Sequence, residues 1–144
     1  MFYPELKECL EIHHKILEVS GGKSGVANLS YLETVLQFVQ SDSYYSELID
    51  KLTYICFAIN KNHAFLDGNK RSSIAIAKYF LKLNGYDYVL PFFATKMENI
   101  AVGVADNIIS EEVLKEILWN ILEGFEMTEE QKLLILQSQN INKN

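Results

Sequence analysis

The chain has few of the residues that break or crosslink a fold. Only two prolines, Pro4 and Pro91, stand in 144 residues, so long stretches are open to helix. Two cysteines, Cys9 and Cys56, are too few for a disulfide framework. Both lie in apolar helical contexts and read as buried free thiols in a reducing cytoplasm. No run of about 20 apolar residues occurs, so no membrane span is expected. The first residues, Met1-Phe2-Tyr3-Pro4-Glu5, lack the basic start and apolar run of a secretory signal. Positive charge is scarce: 13 basic residues face 19 acidic ones, the net charge is −6, and Arg71 is the single arginine. That balance argues against direct nucleic-acid binding, which needs a basic face, while leaving room for a local basic pocket. There is no internal repeat and no linker. A single domain of this length buries about two-thirds of its unfolded surface. What is present is an ordinary globular mixture, 49% hydrophobic and 22% charged.

Helical spacing runs through most of the chain. Residues 5–20 place Leu6, Cys9, Leu10, His13, Ile16 and Leu17 at that spacing. His13 and His14 face different ways and read as one packed and one exposed residue, since no Glu-x-x-His partner stands beside them. Residues 21–25, Gly-Gly-Lys-Ser-Gly, form a loop that lacks the spacing of a phosphate loop. Residues 29–40 form a second helix, capped by Asn28 or by Ser30 with Glu33 in a capping box. Residues 39–46 are short and polar, and residues 47–60 form a third helix. Residues 86–93 read as extended and aromatic. Further helices are expected over residues 98–109, 111–124 and 128–139, with residues 141–144 fraying. Trp119, the only tryptophan, reads as packing. The expected fold is all-α, a helical bundle around one central motif-bearing helix, with room for one short β-hairpin flap.

Residues 63–85 are the stretch the rest serves. The run His63-Ala64-Phe65-Leu66-Asp67-Gly68-Asn69-Lys70-Arg71 collects a base, a carboxylate, a glycine, an amide and two cations. It opens a helix whose apolar residues Ile74, Ile76, Ala77, Phe80 and Leu81 go round most of its surface, as in core helices. Asn84-Gly85 ends that helix, glycine accepting a left-handed cap. A helix N-terminus presents free N–H groups and partial positive charge to an anion. Gly68 permits close backbone approach. A guanidinium at Arg71 suits phosphate oxygens better than an ammonium does. Asp67 suits a hydrated Mg²⁺, which takes one or two carboxylates plus phosphate oxygens. His63 can accept a proton near neutral pH. These are the parts of a phosphoryl-type transfer site.

The run from His63 to Arg71 resembles the signature of the Fic/Doc (Fido) family, His-x-Phe-x-Asp/Asn-Gly/Ala-Asn-Gly/Lys-Arg. Lys70, and Ile74 where Fic proteins often carry a second arginine, resemble the Doc (death-on-curing) branch, while Gly68 is the Fic-like choice. Gly21-Gly22, Gly25 and the Leu32-Glu33-x-x-Leu36 helix also resemble Doc, although Val26-Ala27-Asn28 replaces the branch's usual Arg-Asp pair. The resemblance is firm over residues 21–88 and looser over 6–20 and 96–122. It implies one Fido domain over residues 1–144, with 125–144 a C-terminal helical extension. It implies ATP as donor and Mg²⁺ as cofactor, and a Ser, Thr or Tyr hydroxyl of another protein as acceptor. His63 is the implied base and Asp67 the implied metal ligand. Gly68, Asn69, Lys70 and Arg71 form the implied phosphate cradle, with Phe65 packing beneath. Doc transfers the γ-phosphate, to a threonine of elongation factor Tu; Fic enzymes transfer AMP. Both chemistries stay open, as does a non-catalytic binding module that kept the fold. In the family a segment before the motif forms a flap that receives a target strand; residues 39–46 match it by position alone and read equally as a plain interhelix loop. The self-inhibition motif Ser/Thr-x-x-x-Glu-Gly/Asn is missing, Trp119 standing before Glu123-Gly124 where Ser or Thr would be. Restraint of a toxic enzyme would then come from an antitoxin.

Overall fold

The computed structural model describes residues 1–143. Its helices are α1 (Leu6–Ser20), α2 (Leu29–Phe38), α3 (Leu48–Lys61), α4 (Asn69–Leu83), α5 (Leu90–Ala105), α6 (Glu111–Glu123) and α7 (Glu129–Lys143). A single 3₁₀ turn, Asp87–Val89, precedes α5. Among the described residues no hairpin forms, and β pairing is limited to one antiparallel bridge between Val26 and Phe65.

The motif-bearing helix sits in the middle. α4 packs mainly against α3 and α5, with α1 on a further side, while α6 covers α3 and α7 covers α5. Ile76, Ala77, Phe80 and Leu81 of α4 meet Leu52, Ile55 and Ile59 of α3 and Phe93, Met97 and Ile100 of α5 in one buried cluster. The apolar surround of α4 read from sequence is therefore its core packing. Gly85, at φ 84°, follows the Asn84 cap. Cys9 and Cys56 are free and buried, and burial pushes both thiols up to about 12.

Several boundaries differ from expectation. Residues 86–93 are not extended: the 3₁₀ turn runs into α5, with Pro91 in its first turn. A proline there loses no helical hydrogen bond and its fixed φ suits a helix start. α5 ends at Ala105, short of residue 109, because Asn107 turns to φ 63° and the N–H groups of Ile108 and Ile109 both fold back to the Gly103 carbonyl. Asn28 rather than Ser30 caps α2, its side-chain oxygen accepting from the Tyr31 N–H at 2.9 Å. α7 stays helical through residue 143; of the stretch expected to fray, residue 144 lies outside the described residues. Trp119 is 47% exposed, so it is a surface residue and not core packing.

The segment at residues 39–46 is a set of turns and offers no strand edge. The fully buried Lys51 reaches from α3 to the Val39 carbonyl at 2.8 Å and the Asp42 carboxylate at 2.9 Å, and Tyr45 stacks on Tyr54 with centroids 4.5 Å apart. The chain that runs beside the motif is instead the α1–α2 connection. Ala27 donates to the Ala64 carbonyl at 3.1 Å, and Leu66 donates to the Gly25 carbonyl at 3.2 Å.

Candidate functional site

α3 ends at Lys61 and delivers His63 to the rim of a loop; α4 starts at Asn69, inside the motif. The loop between them is closed by Asn69. Its amide oxygen accepts from the Phe65 N–H at 2.9 Å and its amide nitrogen donates to the Phe65 carbonyl at 2.9 Å. Both bonds together settle which way the amide points. The same amide nitrogen lies 3.5 Å from His63 Nδ1, a contact too long to constrain the ring strongly. The Asn69 side chain, expected in the phosphate cradle, is thus committed to the loop, and its backbone N–H is what the helix start can offer. Phe65 is 1% exposed and plugs the loop into the core.

His63 is exposed and sits at φ 50°, a left-handed conformation that residues with a Cβ adopt at a cost of about 1–2 kcal/mol. Gly68 caps α4 at φ 74°, ψ 24°, where the lack of a Cβ removes that penalty. Asp67 projects from between them. One carboxylate oxygen accepts from the Gly68 N–H at 2.8 Å and the other from the Lys23 N–H at 3.2 Å. These two donors, Lys23 first, hold the carboxyl below its ordinary range.

His63, Asp67, Gly68, Lys70 and Arg71 share one open pocket of about 460 Å³ with Gly21 and Gly22. Lys70 and Arg71 are exposed, and neither joins an ion pair among the described residues. The pocket therefore holds two unneutralised cations, a helix N-terminus and one carboxylate, a donor set for an anion with many oxygens. No group of three metal-ligating side chains forms among the described residues. A lone carboxylate fits a hydrated Mg²⁺ only when phosphate oxygens complete the shell. Arg71→Lys is expected to leave thermal melting unchanged while weakening polyphosphate binding about tenfold, because an ammonium cannot make the two-pronged contact. Titration with tripolyphosphate checks this; equal affinity would reduce Arg71 to a charge at a helix start.

Three contributors escaped sequence reasoning. His13, the packed member of the histidine pair, is 4% exposed, stacks on Phe65 with centroids 3.9 Å apart and bonds the Asp67 carbonyl through Nε2 at 2.8 Å. His14 is the exposed member of the pair, 3.0 Å from Glu18. Gly22 and Lys23 belong to the loop of residues 21–25, which lacks the spacing of a phosphate loop. A Cβ on Gly22 would stand 2.8 Å from an Asp67 carboxylate oxygen, so only glycine lets the Lys23 N–H reach that group. The available signal was three glycines in five residues, Gly21, Gly22 and Gly25, which the structure holds at φ 74°, 118° and 121°.

The Fic/DOC family model matches residues 3–81, from before α1 to near the end of α4. The chain is 32% identical over 89 residues to "Toxin Doc" of Mycolicibacterium smegmatis, covering 59% of this chain and 68% of that protein. It is 30% identical over 108 residues to "Protein kinase doc" of Escherichia phage P1, covering 72% of this chain and 82% of that protein.

Proposed function

The chain belongs to the Fic/DOC family, and from that premise we propose that it is a transferase moving the γ-phosphate of ATP to a hydroxyl of another protein. The carrying observation is the convergence of His63, Asp67, Lys70, Arg71 and the first turn of α4 on one pocket. In this reading His63 takes the proton of a Ser, Thr or Tyr hydroxyl as its oxygen attacks the γ-phosphorus. The new O–P bond forms, the bond to the β–γ bridging oxygen breaks, and ADP leaves with that electron pair. Asp67, with phosphate oxygens, would hold a Mg²⁺ ion, which would supply charge neutralisation. Arg71, Lys70 and the helix N–H groups bind the phosphate oxygens and keep them in line with the hydroxyl.

Three observations support phosphoryl rather than AMP transfer. Lys70 stands where Fic proteins carry glycine. Ile74, 9% exposed, occupies the place of the Fic γ-phosphate clamp. One relative bears the name "Protein kinase doc". The name "Toxin Doc" of the other supports a toxin role, and with it an antitoxin as the restraining partner. A threonine of elongation factor Tu is the first target to test. Gly68, the Fic-like choice, is the observation favouring AMP transfer as the second reading. The exposed base and unpaired cations speak against a pure binding module. No helix among the described residues is long and apolar enough to cross a membrane, and a cytoplasmic site of action completes the proposal.

Parallel labelling with α-³²P-ATP and γ-³²P-ATP tests it. Label is expected from the γ-position alone, with a mass gain of one phosphate on the target. Label from the α-position, with a gain of one AMP, would make this an adenylyltransferase on the same residues. Neither label, with nucleotide bound, would favour the binding module.

A further inference from the structure

We infer that His13 is a positioning residue for the Asp67 carboxylate, acting through the peptide that joins Asp67 to Gly68. A carbonyl only accepts, so His13 Nε2 carries the proton and donates to the Asp67 oxygen at 2.8 Å. The N–H at the other end of that same peptide, on Gly68, donates to the Asp67 carboxylate at 2.8 Å. A peptide is planar, so holding its oxygen fixes the direction of its N–H. The result is a two-bond relay, from imidazole to carbonyl across one peptide plane and from amide to carboxylate.

No Cβ on the Gly68 side restricts this plane. Gly68 at φ 74° has no Cβ, and the alternative glycine conformations lie open to it. Rotation of the peptide would aim its oxygen where the N–H now points and release the carboxylate. His13 is the group that selects the observed orientation. Its own aim is fixed twice, by burial to 4% exposure and by near-parallel stacking on Phe65, 8° between the planes. Phe65 is in turn clamped by Asn69, so α1 reads the position of the motif loop at two points. Leu17, one turn further along α1, packs near Gly22 and Gly68: Cβ atoms built there would meet its Cδ2 at 3.2 and 3.4 Å. Outer groups that orient a metal ligand typically change metal affinity or activity about 10–100-fold when removed. The consequence for metal binding rests on the proposed role of Asp67; the relay itself does not.

Two variants of the full chain separate the relay from packing. His13→Phe keeps a ring against Phe65 and loses the donor. His13→Gln keeps an amide donor at the position of Nε2 and loses the ring. The readouts are the Gly68 amide resonance in ¹H–¹⁵N spectra, taken without nucleotide, and Mn²⁺·ATP affinity by electron paramagnetic resonance. His13→Phe is expected to shift the Gly68 resonance and weaken Mn²⁺·ATP binding about tenfold, and His13→Gln to restore both to near the wild-type values. If His13→Phe leaves both readouts at wild-type values, or His13→Gln is no better than His13→Phe, the inference is overturned and His13 is packing. If wild-type protein binds no Mn²⁺·ATP, the proposed function fails, while the Gly68 resonance still decides the relay. Should His13→Phe not fold, His13→Met, unbranched and without a donor, takes its place in the same comparison.

Discussion

His63→Ala is expected to lower transfer to the target by a factor on the order of 10²–10⁴, the usual contribution of a positioned general base. Initial rates at saturating ATP, alongside thermal melting and nucleotide titration, measure it. Melting and nucleotide affinity should stay close to wild type. The ring is exposed on the pocket rim and, among the described residues, its one side-chain polar contact is the long one to Asn69 at 3.5 Å, so folding loses nothing of note. The proposed phosphate donors are backbone N–H groups, Lys70 and Arg71, none of which depends on the imidazole. Alanine also keeps the left-handed strain at φ 50°, so relief of strain does not confound the comparison. Survival of more than a few per cent of wild-type turnover would move the base elsewhere.

Gly103→Ala should destabilise the fold although alanine is the better helix former. Gly103 lies in α5 where α7 crosses it. A Cβ there would overlap Ser138 Oγ of α7 and stand 2.7 Å from the Ile109 Cδ1. Ser138 has no room to retreat: it is fully buried and its hydroxyl bonds the Leu134 carbonyl at 2.8 Å. Two effects compete. Helix propensity favours alanine by about 1 kcal/mol. Overpacking a close contact typically costs about 1–3 kcal/mol, and a clash this deep belongs at the upper end. The net expectation is a loss of about 2 kcal/mol, roughly 5–8 °C in melting temperature for a chain of this size. Gly103→Val, with more volume and a stiffer side chain, should lose more. Calorimetry checks both. A rise in melting temperature for Gly103→Ala would mean that α7 yields without loss and is only loosely docked. The transfer reaction offers a second reading: the site lies in the part the family model matches, residues 3–81, so a folded Gly103→Ala should keep its turnover.

The candidate site was legible to different depths. His63, Asp67, Lys70 and Arg71 stand out in nine consecutive residues, and the structure brings all four to one pocket. Asn69 was legible as a member of that run, but its side-chain commitment to Phe65 was not, because a polar residue at a helix start serves a ligand or its own loop equally well. The partners of Asp67 were out of reach. His13 is 54 residues away in the chain and Lys23 is 44, and nothing local distinguishes a histidine that packs from one that packs and donates.

From the sequence alone came the all-α class, the helix spans where apolar residues recur every three or four positions, the Gly85 stop, the free thiols and the helix that opens inside the motif. Each follows from interactions within about one helical turn, which periodicity and capping residues report directly. The tertiary structure decided the rest. It made residues 86–93 a turn and a helix start, since aromatic residues with one proline fit either form and packing of Phe93 in the core selects the helix. It folded residues 39–46 into turns that buried Lys51 ties down, and laid the glycine-rich connection along the motif. It also joined α1 to the motif loop through His13. All three outcomes depend on hydrogen bonds and close contacts between distant segments, which exist only once α1, α3 and α5 have docked around α4.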